Sequence, residues 1–402
     1  MILSKNPPIQ NSHSSDKAVS LAAAWLTHSG IQHNGTDKNT HGGVAAWYEL
    51  DKKIYPFIYS EITGYALSCY VFLKKITAKK SFLSDAESAA AWLMNHAHHD
   101  RGIKTRYYLV KHYVSPNYCF HHGRIYAFDT AMVGYGILQL YKETNRPAYL
   151  QFAHELLHFL IDRMRRKDGL FYAYYDSKAK NTGEDFEKWS DQSGTFHAKL
   201  ALFMIDYALL TRDSRFEKYA VTLLDAVKSR QERDGRFVTG QADQSTHLHP
   251  HAYTLEGLLY GGVHLKRKDY LQSALRGFEW MLKGVSNDGS VSSIYAEGTF
   301  SYHERSDIVA QTLRIGAVLC ALYPESMKLH EPLLQMINEH LPLFQYHGQN
   351  KKQAGGFIYG AATDGLIREH LNAWATMFAL QALWMYREFV ENRKRLSLES
   401  FV

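Results

Sequence analysis

The 402-residue chain has only three cysteines, Cys69, Cys119 and Cys320, too few and too scattered for a disulfide framework or a self-contained zinc site. It has no stretch of about 18 apolar residues, which excludes an expected membrane-spanning helix. The first fifteen residues (MILSKNPPIQNSHSS) lack the apolar segment of a secretory signal; they are polar, hold two prolines and read as a flexible arm. No Pro/Ser/Gly-rich linker or shift of composition divides the rest, so residues 16–402 are read as one domain and the protein as cytoplasmic. Net charge is +6, yet the basic clusters Arg163–Lys167 and Asn392–Arg395 both end helices, where the macrodipole favours cations, so nucleic acid is not an expected partner. The balance allows mild attraction for an acidic substrate. No metal and no cofactor are expected.

What the chain does have is a repeat. Six times an amphipathic helix runs into a short turn and is followed by a more apolar helix; the turns are Gly42-Gly43, Asp100-Arg101-Gly102, Asp168-Gly169, Asp234-Gly235, Asp288-Gly289 and Gly355-Gly356. Their spacing is uneven, as it is when each repeat carries its own loop insertions. The helices before the turns, such as 150–166, 216–230 and 270–283, have apolar residues at three- and four-residue spacing and so one buried face. After the turns come aromatic and β-branched residues in short alternation, which suits small hairpins. The helices that follow, at 61–73, 130–141, 195–210, 252–265, 308–322 and 372–386, are apolar nearly all round and must be covered on both sides. Six such helices, each paired with a half-exposed one, close as an inner ring within an outer ring. The expected fold is all-α: an (α/α)6 toroid of six helical hairpins with short β-hairpins in the rim loops. A first helix near 16–29 and a last near 369–391 close the ring.

In that ring the inner-helix N-termini open onto one central bowl, where free N–H groups and positive dipole ends favour anionic groups. The six helix starts bring Glu61 and Tyr65; Asp129; Asp191 and His197; His249, His251 and Glu256; Asp307, Gln311 and Arg314; and His370, Asn372 and Trp374. Carboxylates, imidazoles and rings in one bowl suit a saccharide. Sugar hydroxyls take several hydrogen bonds, the C–H face stacks on aromatics, and breaking or epimerising a sugar demands a positioned acid and base. Plainer roles stand beside these: Glu61 and Asp129 are placed to stabilise helix starts, Asp191 to close a turn, and most of the 27 tyrosines to cover hairpins. His247, His249 and His251 alternate along a stretch read as extended, without zinc-site geometry. Glu256 lies too deep in its helix to cap it and requires the cavity or a cation as partner. Asp307, Gln311 and Arg314 form one polar stripe, and His370 and Asn372 open the last inner helix, where a neutral imidazole can act as acid or base.

The segments His249-Pro-His-Ala-Tyr-Thr-Leu-Glu-Gly-Leu-Leu259, Ser193-Gly-Thr195 with Lys199, and Tyr59-Ser-Glu-Ile-Thr-Gly-Tyr65 resemble the six-hairpin glycosidase-like superfamily, in particular VpsJ-type proteins of bacterial polysaccharide biosynthesis. More distantly the chain is similar to the N-acylglucosamine 2-epimerase, cellobiose epimerase and glucuronyl C5-epimerase groups. The epimerase resemblance implies inner-helix histidines that remove and return a proton beside a sugar carbonyl. Where that pattern has Gly-His with an acid three residues on, this chain has Pro250-His251 with Glu256 five residues on.

Residues and resemblance together give the expectation of a carbohydrate-active enzyme, epimerase/isomerase or glycoside hydrolase, serving surface polysaccharide metabolism by general acid–base catalysis. Its expected acids and bases are His251, Glu256, Asp307 and His370. Glu61, Tyr65, Asp129, Asp191, His197, His249, Gln311, Arg314, Asn372 and Trp374 are expected to bind the sugar. The alternative is a non-catalytic saccharide-binding protein that uses the same bowl.

Overall fold

Helices that are apolar all round cannot face water, and helices apolar on one side cannot stand alone; this chain satisfies both by alternating them. The computed structural model describes residues 13–111, 113, 123–186, 188–362, 365–392, 398 and 401. Cys119, the arm up to residue 12 and the basic run after Asn392 lie outside the described residues. In chain order the helices are α1 (His13–His28), α2 (Ser60–Thr77), α3 (Ser81–Trp92), α4 (Ala127–Thr144), α5 (Pro147–Phe159), α6 (Leu200–Thr211), α7 (Ser214–Lys228), α8 (Leu248–His264), α9 (Lys268–Leu282), α10 (Ser306–Leu322), the single turn α11 (Pro324–Met327), α12 (Glu331–His340) and α13 (Ala373–Met385). A 3-10 segment, Thr195–Lys199, leads into α6.

The inner helices α2, α4, α6, α8, α10 and α13 pack in that order, and α13 returns to α2 to close the ring. Each outer helix covers the inner helix before it: α3 lies on α2, α5 on α4, α7 on α6, α9 on α8 and α12 on α10, while α1 covers α13. The fold is therefore the expected (α/α)6 toroid, and one continuous apolar core runs through it. Among the described residues no helix is long and apolar enough to cross a membrane.

Each turn recurs as the same device. Short antiparallel bridges flank it at Gln32–Val44, Arg165–Phe171, Gln231–Phe237, Val285–Val291 and Gln345–Phe357, and in the second repeat the bridge widens to the strand pair His98–His99 with Gly102–Ile103. Gly235 shows why glycine is needed: its φ is +102°, and a Cβ there would stand 2.5 Å from the Arg276 carbonyl oxygen on α9. Short sheets crown the rim. Trp47–Glu49, Ile367–Asn372 and Phe357–Ala361 form one of them, with Trp47 opposite Asn372, so the first and last repeats are also joined by a strand ladder.

Three expectations are corrected. Helix α1 begins at His13, so 13–15 belong to it rather than to the arm. Residues 367–372 are a strand and α13 starts at Ala373, so His370 sits on a strand before the helix. His249 and His251 lie in the first turn of α8, not in an extended stretch. Pro250 is tolerated there because a first-turn N–H has no intrahelical acceptor to lose.

Candidate active site

One wall of the crater is carboxylate. Glu61, in the first turn of α2, and Asp129, in the first turn of the adjacent α4, are 8% and 4% exposed. Burial pushes the Glu61 carboxyl up to about 7, against the pull of Tyr59, Lys199 and Tyr65. Burial, and next the negative charge of Glu61, hold Asp129 well above the usual carboxylate range; Asp191 adds to this, while Thr105 and Arg106 oppose it. Two such acids titrate as a couple. Asp129 Oδ2 has no hydrogen-bond partner among the described residues.

The opposite wall is built on α8, α10 and the last rim strand. Arg305 grips Asp307 through Nη2 at 2.6 Å and Nε at 3.1 Å, and Trp374 Nε1 donates to its Oδ2 at 2.9 Å. Against the effect of burial, Arg305 and then His249 hold the Asp307 carboxyl below its ordinary range. His249 Nδ1 donates to Gln311 Oε1 at 2.6 Å and stands 3.5 Å from Asp307 Oδ2, which leaves Nε2 as the unprotonated nitrogen. His370 is sandwiched between Trp47, 4.7 Å away, and Tyr359, 5.1 Å away. Neither of its ring nitrogens has a hydrogen-bond partner among the described residues. Burial lowers His249 to about 4 and His370 to about 3, so both imidazoles are neutral at physiological pH. Tyr253 lies 4.5 Å from the His249 ring and Phe128 4.8 Å from Tyr253, carrying the aromatic lining round to α4.

Beneath the floor Glu256 finds the cations its depth requires. Lys199 Nζ is 2.8 Å away and Arg314 Nη2 donates to the other oxygen; all three side chains are fully buried. Arg314 also donates to Gln381 Oε1 at 3.0 Å. Glu256 and Arg314, expected to line the bowl, therefore lie under it, and Tyr65, fully covered, lies with them.

His251 and His197 belong to neither wall. The Phe237 amide donates to His251 Nδ1 at 3.4 Å and His251 Nε2 donates to the Gly277 carbonyl on α9 at 3.1 Å, so both nitrogens are spent on the outer wall. The same latch recurs round the ring: the Val44 amide donates to Thr63 Oγ1 at 3.0 Å, and the Phe357 amide to Thr376 Oγ1 at 2.9 Å. In each case the donor is the second residue after the turn glycine. His197 occupies the corresponding place in the third repeat, beside the Phe171 backbone. Asn372 caps α13 by accepting from the Ala375 amide at 2.9 Å, and Asp191 sits at the rim, acting on Tyr126 and Asp129.

Sequence reasoning missed Lys199, Arg305, Trp47 and Tyr253 as members of the site. Lys199 had a signal, a lone cation entering an apolar helix. Trp47 had none, because only the rim ladder brings it to His370.

No family model matches the chain, and no curated protein matches it in sequence. Solved structures do. A cellobiose 2-epimerase from Bacillus thermoamylovorans superposes with a TM-score of 0.73 at 12% identity, covering 93% of this chain and 98% of that one. A D-mannose isomerase gives 0.72 at 10% identity over 96% of this chain and all of that one, 100%. An unsaturated glucuronyl hydrolase from Bacillus sp. GL1 gives 0.65 at 14% identity, covering 93% and 96%. Fold and site thus define an (α/α)6 toroid with a polar, aromatic-walled crater. The chain shares this fold with the epimerase, isomerase and glucuronyl hydrolase structures.

Proposed function

We propose that this protein is an enzyme that acts on a saccharide in the crater by general acid–base catalysis. Glu61 and Asp129 are its proton-transferring couple, and the wall of His249, Asp307, Trp374 and His370 binds the sugar. The couple carries this reading: two buried carboxylates in the first turns of adjacent inner helices, Glu61 pushed up to about 7 and Asp129 held well above the usual carboxylate range by burial and by the charge of Glu61, facing a wall rich in rings. Proton transfer is most effective when the pKa lies near the working pH, and a protonated carboxyl beside an ionisable one supplies donor and acceptor together. The rings of Trp47, Tyr253, Tyr359 and Trp374 offer stacking faces for a pyranose. Epimerase, isomerase and glucuronyl hydrolase neighbours with this fold support the sugar-processing class. The reading takes proton transfer away from Asp307, which is locked to Arg305, from Glu256, which lies under the floor, and from His251. A role in bacterial surface polysaccharide metabolism in the cytoplasm is the proposed setting and rests on the sequence resemblance.

A second reading, epimerisation by imidazoles, is favoured by His370, whose ring nitrogens are both unpartnered among the described residues, and by the unprotonated Nε2 of His249. One experiment separates the two. Wild type, Glu61→Gln, Asp129→Asn and His370→Ala are incubated with uronic acids, amino sugars and reducing disaccharides in deuterated water and followed by NMR. Deuterium at a sugar carbon marks epimerisation, and new reducing ends mark hydrolysis. Loss of kcat in the carboxylate variants, with His370→Ala keeping kcat and raising only KM, supports the couple, and loss of kcat in His370→Ala with its retention in the carboxylate variants supports the imidazoles. Binding of these sugars without turnover of any sinks the enzyme reading.

A further inference from the structure

Beneath the carboxylate couple lies a buried cluster with more positive than negative charge, and its position breaks the symmetry of the couple. Lys199 and Arg314 share the single carboxylate of Glu256, and all three are fully buried. Their surroundings are rings: Lys199 Nζ stands 4.5 Å from the centre of Tyr253, 4.8 Å from Tyr65 and 5.4 Å from Phe378. The Arg314 guanidinium lies 4.6 Å from Phe378 and 4.5 Å from Phe401. A net positive charge in such a setting is costly unless a further anion answers it.

Glu61 is placed to be that anion. Tyr65 follows it by one turn on the same face of α2, the Lys199 ammonium lies 4.8 Å from the Tyr65 ring, and its positive charge acts on the Glu61 carboxylate. Glu61 is faced by Tyr59 and Tyr65 from its own helix start, by Asp129 from α4, by Lys199 from the segment before α6 and by Tyr253 from α8. Asp129 is faced by two acids, Glu61 and Asp191, and by Thr105 and Arg106 from the rim. Taking the couple as the proton-transferring pair proposed above, we infer that the Lys199–Glu256–Arg314 cluster keeps Glu61 as the ionised base and leaves the retained proton on Asp129, the acid. Lys199 reaches no substrate; it is a positioning residue that acts through Glu61.

The test uses the full chain without sugar. Infrared pH titration is run on protein carrying carboxyl-13C aspartate or, separately, carboxyl-13C glutamate, with Asp129→Asn and Glu61→Gln assigning the signals. At about pH 8 the remaining protonated carboxyl shifts with the aspartate label and is absent in Asp129→Asn, while Glu61 takes up its proton only on acidification. Lys199→Met raises the Glu61 midpoint by about one pH unit or more, Lys199→Arg keeps it, and Glu256→Gln, which leaves both cations, lowers it. A protonated carboxyl that follows the glutamate label, an unmoved midpoint in folded Lys199→Met, or a rise in Glu256→Gln overturns the assignment. Should Lys199→Met not fold, the labelled wild type decides alone. A protein inert towards every sugar that still titrates in this way removes the proposed function and leaves the charge assignment standing, so the two failures are distinguishable.

Discussion

Asp129 and Asp206 are both buried aspartates on inner helices, α4 and α6, and they differ in what surrounds them. Asp206, at the end of the ring away from the crater, accepts from Gln139 at 2.6 Å, from Lys142 at 2.6 Å and from the Tyr260 hydroxyl. Asp129 faces two other acids and keeps an oxygen without a hydrogen-bond partner among the described residues. The same residue type is saturated where it ties helices together and under-paired where the helix N-termini open. Buried polar groups are ordinarily satisfied, so the difference sets a carboxylate spent on the fold apart from the one proposed to act in the crater.

The comparison breaks or sharpens under substitution. The largest effect falls on activity: Asp129→Asn lowers turnover by about 10²–10⁴-fold and leaves the thermal midpoint equal or higher, as paired kinetic and melting measurements will read. Next comes Glu256→Ala, which strands two buried cations and costs about 3–5 kcal/mol in urea denaturation. Glu61→Gln acts through pH. Because burial raises the Glu61 pKa to about 7, the folded state holds its proton longer than the unfolded chain, and wild-type stability falls as pH rises from the unfolded value through about 7. The glutamine variant escapes that loss and gains up to ~3 kcal/mol over wild type at alkaline pH, with the gain vanishing in acid; equal stability curves across that range would refute the raised pKa. The smallest effects are those of Asp206→Asn and His251→Asn, about 1–3 kcal/mol each, with turnover within a few-fold of wild type. A collapse of turnover in either would erase the distinction between saturated and under-paired groups.

His249 and His251 show how far the site was legible. Two residues apart on a helix means about 200° of rotation, so one imidazole joins the crater wall and the other latches the outer wall. Read as an extended stretch, the two looked alike. Spacing along the chain would not have separated them: Thr63 and Thr376 stand 21 residues after their turn glycines Gly42 and Gly355, but His251 only 16 after Gly235, so loop length hides a latch that the three share in space. Glu256 was legible in its need for a cation, but whether that cation stood in the bowl or beneath it depended on how α6, α8 and α10 lean together.

The sequence by itself determined the toroid: six turn glycines, six one-faced helices and six helices apolar all round admit few other closures, because burial must be satisfied along every helix. It also showed that polar and titratable residues gather at the inner-helix starts. Only the tertiary structure decided which of those groups share a wall, which are spent on the fold and which charges surround each acid. Those outcomes depend on helix rotation and on charges brought from distant repeats to within a few ångströms, and neither distance nor burial is a property of neighbouring residues in the chain.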